Sequence, residues 1–432
     1  FIDDNIKISG MSIGGVKVIS SSKINNHLKE IDKVFLAIPS LKAKRKREIV
    51  SFILEHNLPI MEVPSINEII TGTKNINSLK SIEINDLLYR DAANSSKELL
   101  NSSIKNSVVL ITGAAGSIGS EISRQSLMLN PKKLIFIDHS EADLYKLNHE
   151  IKKMKIQNSI DWECVLGSVL NKSLIEELIA KNSVDIIFHC AAYKHVPILE
   201  SNPLIGILNN IFSTKIICEC AIKSNVTKVI LISTDKAVRP SNLMGATKRI
   251  AELLIQAFDD HEKSINYQDN LYIPTKFSSV RFGNVLGSSG SVVPKFQAQI
   301  SKGDSITLTH ENIVRYFMSI SEAVQLVIQS SSIAKGGEVF LLDMGEPILI
   351  KDIAKKLIQL SGKTIKTAEN PNGDIEIITT GLRPGEKLHE ELLVDYGASP
   401  TKHPLIYKVK EKVYLNFNFW EKLKLMKEEI DN

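Results

Sequence analysis

The stretch Val108-Val109-Leu110-Ile111-Thr112-Gly113-Ala114-Ala115-Gly116-Ser117-Ile118-Gly119 runs an apolar segment directly into three glycines spaced three apart. Four consecutive aliphatic residues predict a strand buried on both faces, the environment of a parallel sheet. Gly113, Gly116 and Gly119 let the backbone turn tightly and let a pyrophosphate approach the next helix, whose free amino-terminal N–H groups and dipole favour negative charge. That helix is expected from Ser117 to Leu129, with Ile118 in its first turn. A second strand, Lys133 to Ile137, ends in Asp138, about 20 residues past the last glycine, where a carboxylate can accept both hydroxyls of an adenosine ribose. No arginine follows to meet a 2′-phosphate, which favours NAD over NADP. Asp138 or Ser140 has an alternative role as N-cap of the helix expected from Glu141 to Met154.

Strands are expected next at Trp162 to Leu166, Val184 to Cys190 and Lys228 to Ser233, each separated by a helix-length segment. The fold class is therefore α/β, a doubly wound parallel Rossmann sheet, with a smaller α/β lobe after Lys276. Ligands of such sheets bind at the carboxyl ends of the strands. At one such end lie Ala191 and Ala192, small enough for a dinucleotide to pass close to the backbone, followed by Lys194 and His195, which either face substrate or start the next helix. At another lie Thr234, Asp235 and Lys236, followed by a helix, Leu243 to Asp260, that puts Met244 and Lys248 on one face at i and i+4. Alone, Thr234 to Lys236 reads as a solvated turn; at a sheet edge it brings a hydroxyl, a carboxylate and an ammonium together. Lys295, Arg315, Arg383 and Lys387 are candidates to converge on a diphosphate, since guanidinium groups meet phosphate oxygens two at a time, although singly each reads as a surface salt bridge.

At 432 residues, 43% hydrophobic and 24% charged, the chain has room for two or three domains. A net charge of +4 from 53 basic and 49 acidic residues is too balanced for nucleic acid, and the cluster Lys42 to Arg47 reads as a solvated helix face. Cys164, Cys190, Cys218 and Cys220 lack metal-ligand spacing and read as reduced thiols of a cytosolic protein; no metal is expected. Residues 1–75 alternate strand signals (Gly15 to Ser20, Val34 to Pro39, Pro59 to Val63) with helix signals (Ile24 to Glu30, Lys42 to His56), which predicts a small parallel α/β unit. Residues 76–104 read as linker with an amphipathic piece, Ile82 to Leu88. Residues 105–432 follow as the catalytic region, with dinucleotide binding mainly in 105–275 and a substrate lobe mainly in 276–432. No apolar run approaches the roughly 18 residues that cross a membrane. Phe1, opening the chain inside a strand end, predicts a piece cut from a longer protein.

Together with the glycine loop, Asp138-His-Ser-Glu141, Ala191-Ala-Tyr-Lys-His-Val-Pro197, Thr234 to Lys248, Val280-Arg-Phe-Gly-Asn-Val-Leu-Gly287, Arg315-Tyr-Phe-Met318 and Gly381-Leu-Arg-Pro-Gly-Glu-Lys387 resemble the extended short-chain dehydrogenase/reductases. The resemblance is strongest to the nucleotide-sugar 4,6-dehydratases of polysaccharide biosynthesis, used for capsule, O-antigen and glycan-linked sugars. It implies a tightly held, recycled NAD, a UDP-hexose substrate and a homodimer or higher homo-oligomer. Residues 1–75 resemble the unit that precedes the catalytic domain in the long, membrane-anchored members, which implies the cytoplasmic portion of a bacterial inner-membrane protein. Asn284 and Glu386 are implied on the substrate side with Lys194, His195, Lys295, Arg315 and Arg383, and Lys248 also reaches the cofactor. Asp235 would protonate the leaving C6 oxygen, Lys236 would remove the C5 proton and Thr234 would bond the C4 hydroxyl. The superfamily's Tyr-x-x-x-Lys reads Met244-x-x-x-Lys248 here, and a thioether cannot take a proton. Dehydratases of UDP-N-acetylglucosamine share this methionine, a branch that implies retention at C5. Ser168 stands where relatives often carry an acid near the adenine. An acid beside a base calls for a depressed lysine or a raised aspartate pKa. A UDP-sugar 4-epimerase and a nucleotide-sugar sensor without chemistry are the rival readings.

Overall fold

A computed structural model describes residues 1–5, 7–38, 43–56, 58–63, 96–154, 160–266, 273–392, 397–409 and 418–432. The amphipathic piece expected at Ile82 to Leu88 lies outside them. The chain divides into two compact units, one of Phe1–Tyr89, Lys295–Leu308 and Lys351–Thr380, the other of Arg90–Pro294, Thr309–Ile350 and Gly381–Asn432.

In the first unit, Val34–Leu36 pairs in parallel with Ile60–Glu62, and the connecting helix Ala43–Glu55 buries Val50 and Ile53. The strand expected at Gly15 to Ser20 is instead a tight antiparallel hairpin, Ser12–Ile13 with Val16–Lys17. Gly14 and Gly15 both take positive φ there, the geometry of a two-residue turn. Ile24 to Glu30 forms two short 3-10 turns and no α-helix. Ile24 is the one buried residue of its turn, too little apolar area to hold an amphipathic helix. Ile306–Leu308, Ile375–Thr379 and Ile365–Lys366 make a small parallel sheet that also belongs to this unit.

The second unit is built on a sheet of nine strands among the described residues. In chain order the strands of that sheet and the main helices around it are β1 (Val108–Thr112), α1 (Ser117–Leu127), β2 (Lys133–Asp138), α2 (Glu141–Lys153), β3 (Asp161–Leu166), α3 (Lys172–Asn182), β4 (Ile186–His189), α4 (Ser213–Lys223), β5 (Lys228–Ile232), α5 (Leu243–Asn266), β6 (Lys276–Arg281), α6 (Ile320–Ile333), β7 (Val339–Leu342), β8 (Ala398–Pro400), β9 (Ile406–Val409) and α7 (Phe419–Asp431). The spatial order is β8-β9-β7-β6-β5-β4-β1-β2-β3. β3 through β7 run parallel, and β9 and β8 close the edge antiparallel. The chain reverses its winding between β1 and β4, the switch point where a doubly wound sheet opens a crevice.

All five residues of β1 are buried because helices cover both sheet faces. One core packs Ile122 and Leu127 against Val109, Ile111 and Phe136. The other packs Ile175, Ile217 and Leu254 against Leu110, Ile187 and Val229. Each such fully buried aliphatic side chain contributes about 1.5–3 kcal/mol. Composition hid one helix in the expected linker: Lys97–Ile104, capped by Ser96 Oγ, buries Ile104 and receives a bond at Leu99 O from Ser332 on α6. Pro203–Lys223 holds no unbroken apolar run of membrane-crossing length, yet by length and composition alone it is apolar enough to cross a membrane, with a mean hydropathy of 1.3 over its best window. That window is 61% buried, as befits a core helix.

Candidate active site

The glycine loop joins β1 to α1 at the switch point. Gly113 sits at φ +61°, and a Cβ there would lie 2.7 Å from the Ala191 backbone, so β1 and the strand-end alanines approach as closely as backbones can. A Cβ on Gly119 would meet Gly113 O at 2.1 Å. Gly116 is the N-cap of α1 and supplies no side-chain cap, which leaves that helix terminus to an outside acceptor. Asp138, buried at the end of β2, braces the loop: Ala115 N donates to its Oδ2 and Ser140 N to its Oδ1, each at 2.9 Å. Ser140, and not Asp138, caps α2. Gly119→Ala is expected to cost about 1–3 kcal/mol through overpacking against backbone and to abolish dinucleotide binding, which thermal melts with and without NAD will read.

After β5, Thr234 turns the chain into a single 3-10 turn, Asp235–Ala237. Asp235 is 1% exposed. Its Oδ1 accepts from Thr234 Oγ1 at 2.9 Å and from Lys236 Nζ at 3.0 Å. Its Oδ2 is buried without a hydrogen-bond partner and would lie 3.2 Å from a Cβ on Gly283, so only glycine fits that position comfortably. Lys236 Nζ also donates to Asn284 Oδ1 at 3.3 Å and lies 3.4 Å from Glu390 Oε1. Burial pulls the Lys236 ammonium down, but the Asp235 and Glu390 carboxylates outweigh it and hold it above the ordinary lysine range, with Arg315 opposing. Of the two alternatives expected for a carboxyl beside an amine, the depressed lysine is not found here: Lys236 and Asp235 stand as an ion pair.

Met244 and Lys248 are both buried on α5. Burial lowers the Lys248 amine to about 8, against the raising effects of Glu252 and Cys190. Between about pH 8 and its ordinary 10.5 the folded state binds fewer protons than the unfolded chain, so stability rises with pH across that window. Below it the full cost of burying the ammonium is carried. Lys248→Met is expected to flatten that rise, checked by urea unfolding at pH 7.5 and 9.5.

Residues 109–411 match the family of polysaccharide biosynthesis proteins. The chain belongs to that family. It is 43% identical over 384 residues to the capsular polysaccharide biosynthesis protein CapD of Staphylococcus aureus, covering 89% of this chain and 60% of CapD, so it spans about three fifths of that relative's length. An inverting UDP-N-acetylglucosamine 4,6-dehydratase of Campylobacter jejuni is 33% identical over 66% of this chain and 77% of its own. A UDP-glucose 4-epimerase of Rickettsia massiliae is 32% identical with the same coverage. The fold is similar to the X-ray structure of Pen from Bacillus thuringiensis, with TM-score 0.62, 34% identity, and coverage of 72% of this chain and 90% of that one.

The glycine loop at the end of β1 and Thr234-Asp235-Lys236 at the end of β5 thus lie at strand ends of one sheet, with β4 between them. Ala191 and Ala192 are half-buried; Lys194 and His195 are exposed, and the His195 ring packs on Gly290, where a Cβ would meet its Cε1 at 2.4 Å. The expected diphosphate set is not gathered in the second unit. Lys295 belongs to the first, where its Nζ donates to Thr307 Oγ1 at 2.6 Å. Buried Arg315 spends its donors on the carbonyls of Val314, Lys387 and Leu388 beside Glu386 and Glu390. Glu386 accepts from Thr309 Oγ1 and Arg383 N, and Lys387 Nζ donates to Val238 O, so these residues pin loop 381–391. Ser241 Oγ and Asn242 Nδ2 both donate to Gly385 O, which fastens that loop to the segment that follows Asp235 and Lys236. The Arg383 side chain is exposed. Sequence reasoning missed Glu390, which no local spacing marks, and the buried Glu252–Arg281 pair beneath Ser233.

Proposed function

We propose that the chain catalyses redox-neutral 4,6-dehydration of a UDP-hexose, UDP-N-acetylglucosamine foremost, for surface polysaccharide or glycan synthesis. The observation that carries this reading is the Asp235–Lys236 pair, 3.0 Å apart, with the second Asp235 oxygen buried and unpartnered. An epimerase needs neither an acid at C6 nor a base at C5. The dinucleotide elements fit NAD: Gly113, Gly116, Ser117 and Ile118 would hold its pyrophosphate, and Asp138 its ribose, with a charge that would repel a 2′-phosphate. When bound, NAD supplies hydride acceptance from C4 and return to C6.

The chain's own groups manage protons. One proton passes from Lys236 to Asp235 across their hydrogen bond, turning the stored ion pair into a neutral amine and a carboxylic acid. The amine takes the C5 proton, the acid gives its proton to the C6 oxygen, which leaves as water, and the Lys236 ammonium, exchanged with solvent, later returns a proton to C5; solvent replaces the proton lost with the water, balancing the C4-hydroxyl proton released. Thr234 orients the C4 hydroxyl, and the proton of that hydroxyl leaves by way of Lys248, since Met244 cannot take it. Retention at C5 is proposed from the methionine branch. Proton NMR with UDP-N-acetylglucosamine in deuterated water is expected to show a 4-keto-6-deoxy product deuterated at C5, its coupling constants reporting the configuration. A 4-epimer that keeps its C6 hydroxyl would replace this reading with the epimerase.

A further inference from the structure

Glu390 stands outside every motif discussed so far, yet its side chain is 4% exposed. A buried carboxylate is tolerated only when charge partners compensate its lost hydration. Its neighbours are Lys236 Nζ at 3.4 Å and Arg315 Nε at 3.6 Å, both to the same Oε1. Arg315 is in turn tied to three carbonyls, so it cannot swing to follow Glu390. Lys236 therefore faces two carboxylates at once: Asp235 on its own turn, and Glu390 from loop 381–391. The Asn284 amide is its neutral partner, and Arg315 is the cation that faces it.

We propose that Glu390 is a positioning residue that shares the Lys236 ammonium with Asp235 and so decides how readily Lys236 gives up a proton. Its chemical consequence rests on the dehydratase reading, because that reaction needs Lys236 neutral and Asp235 protonated. Glu390 opposes that transfer, and Arg315 tempers the opposition by drawing on the same oxygen. The pair then rests charged, with Asp235 buried and Lys236 partly exposed, and converts only when groups in the cleft change the balance. The loop's bonds to Ser241 and Asn242 keep this third charge in register with the catalytic turn.

The test is trace acetylation of the folded chain with acetic anhydride across pH 6–11, read lysine by lysine by mass spectrometry, beside the pH dependence of kcat/KM. In the unmodified protein the Lys236 midpoint is expected above that of the chain's exposed lysines. Glu390→Gln is expected to move it down by about one to two pH units, as loss of a near opposite charge does, with the falling limb of kcat/KM, where the Asp235–Lys236 pair loses the one proton it shares, shifting the same way. Glu390→Asp, which keeps the charge on a shorter stem, is expected to restore most of the midpoint and guards against a Gln variant that fails to fold. An unmoved midpoint in a folded Gln variant overturns the proposal, as does a Lys236 midpoint that is not raised in the unmodified protein. A shifted midpoint in a chain that turns over no UDP-hexose leaves the charge sharing standing and removes the dehydratase reading.

Discussion

Asp235→Asn is expected to lower turnover by about 10²- to 10⁴-fold, the range that loss of a positioned general acid costs, while dinucleotide binding stays intact. The substitution is close to isosteric. The amide oxygen still accepts from Thr234 Oγ1 and Lys236 Nζ, and the amide nitrogen takes the place of the unpartnered Oδ2 beside Gly283. What disappears is the capacity to carry a proton to the C6 oxygen, together with one of two counter-charges on Lys236. The glycine loop and Asp138 are braced by their own backbone bonds and do not depend on Asp235. Product formation by NMR and retention of NAD through gel filtration separate the two effects. Turnover equal to the parent's would remove Asp235 from the mechanism.

What was legible in the sequence was what is local. Val108 to Gly119 carries strand, turn and helix start within twelve neighbouring residues, and Asp235 and Lys236 are adjacent, so their meeting at 3.0 Å needs no tertiary information. The doubly wound sheet follows from the same alternation of buried strands and helices. Glu390 and Arg315 reach Lys236 only because strand Val314–Arg315 and loop 381–391 fold back onto the turn after β5. Arg315, one of the arginines read as phosphate ligands, turned inward for a related reason. Arg315 is buried, and a buried guanidinium must spend its donors on the nearest acceptors, which here are the loop's own carbonyls. The hairpin at Gly14 and Gly15 shows the opposite failure, where an apolar alternation was outvoted by two glycines able to take positive φ.

Glu252→Gln is expected to destabilise the second unit by about 3–5 kcal/mol, the cost of stranding one partner of a buried ion pair. Glu252 and Arg281 are both fully buried, with Arg281 Nε and Nη2 each 2.7 Å from one Glu252 oxygen. Ser233 Oγ and Arg249 Nη1 donate to the same carboxylate. Gln cannot accept at both positions, and the Arg281 guanidinium loses the Glu252 charge. Replacing both partners, Glu252→Leu with Arg281→Met, removes the two desolvated charges together and is expected to recover most of the lost stability, since apolar packing substitutes for buried ion pairs at little net cost. Activity is expected to stay low in that double variant. Ser233 immediately precedes the catalytic turn and loses its acceptor, and Glu252 is the charge that raises the Lys248 amine against burial, so its loss drives that amine below about 8. Denaturant unfolding beside turnover decides the matter: a double variant that regains both would reduce the pair to scaffolding, and one that regains stability alone makes it part of how the fold sets the protonation of its site.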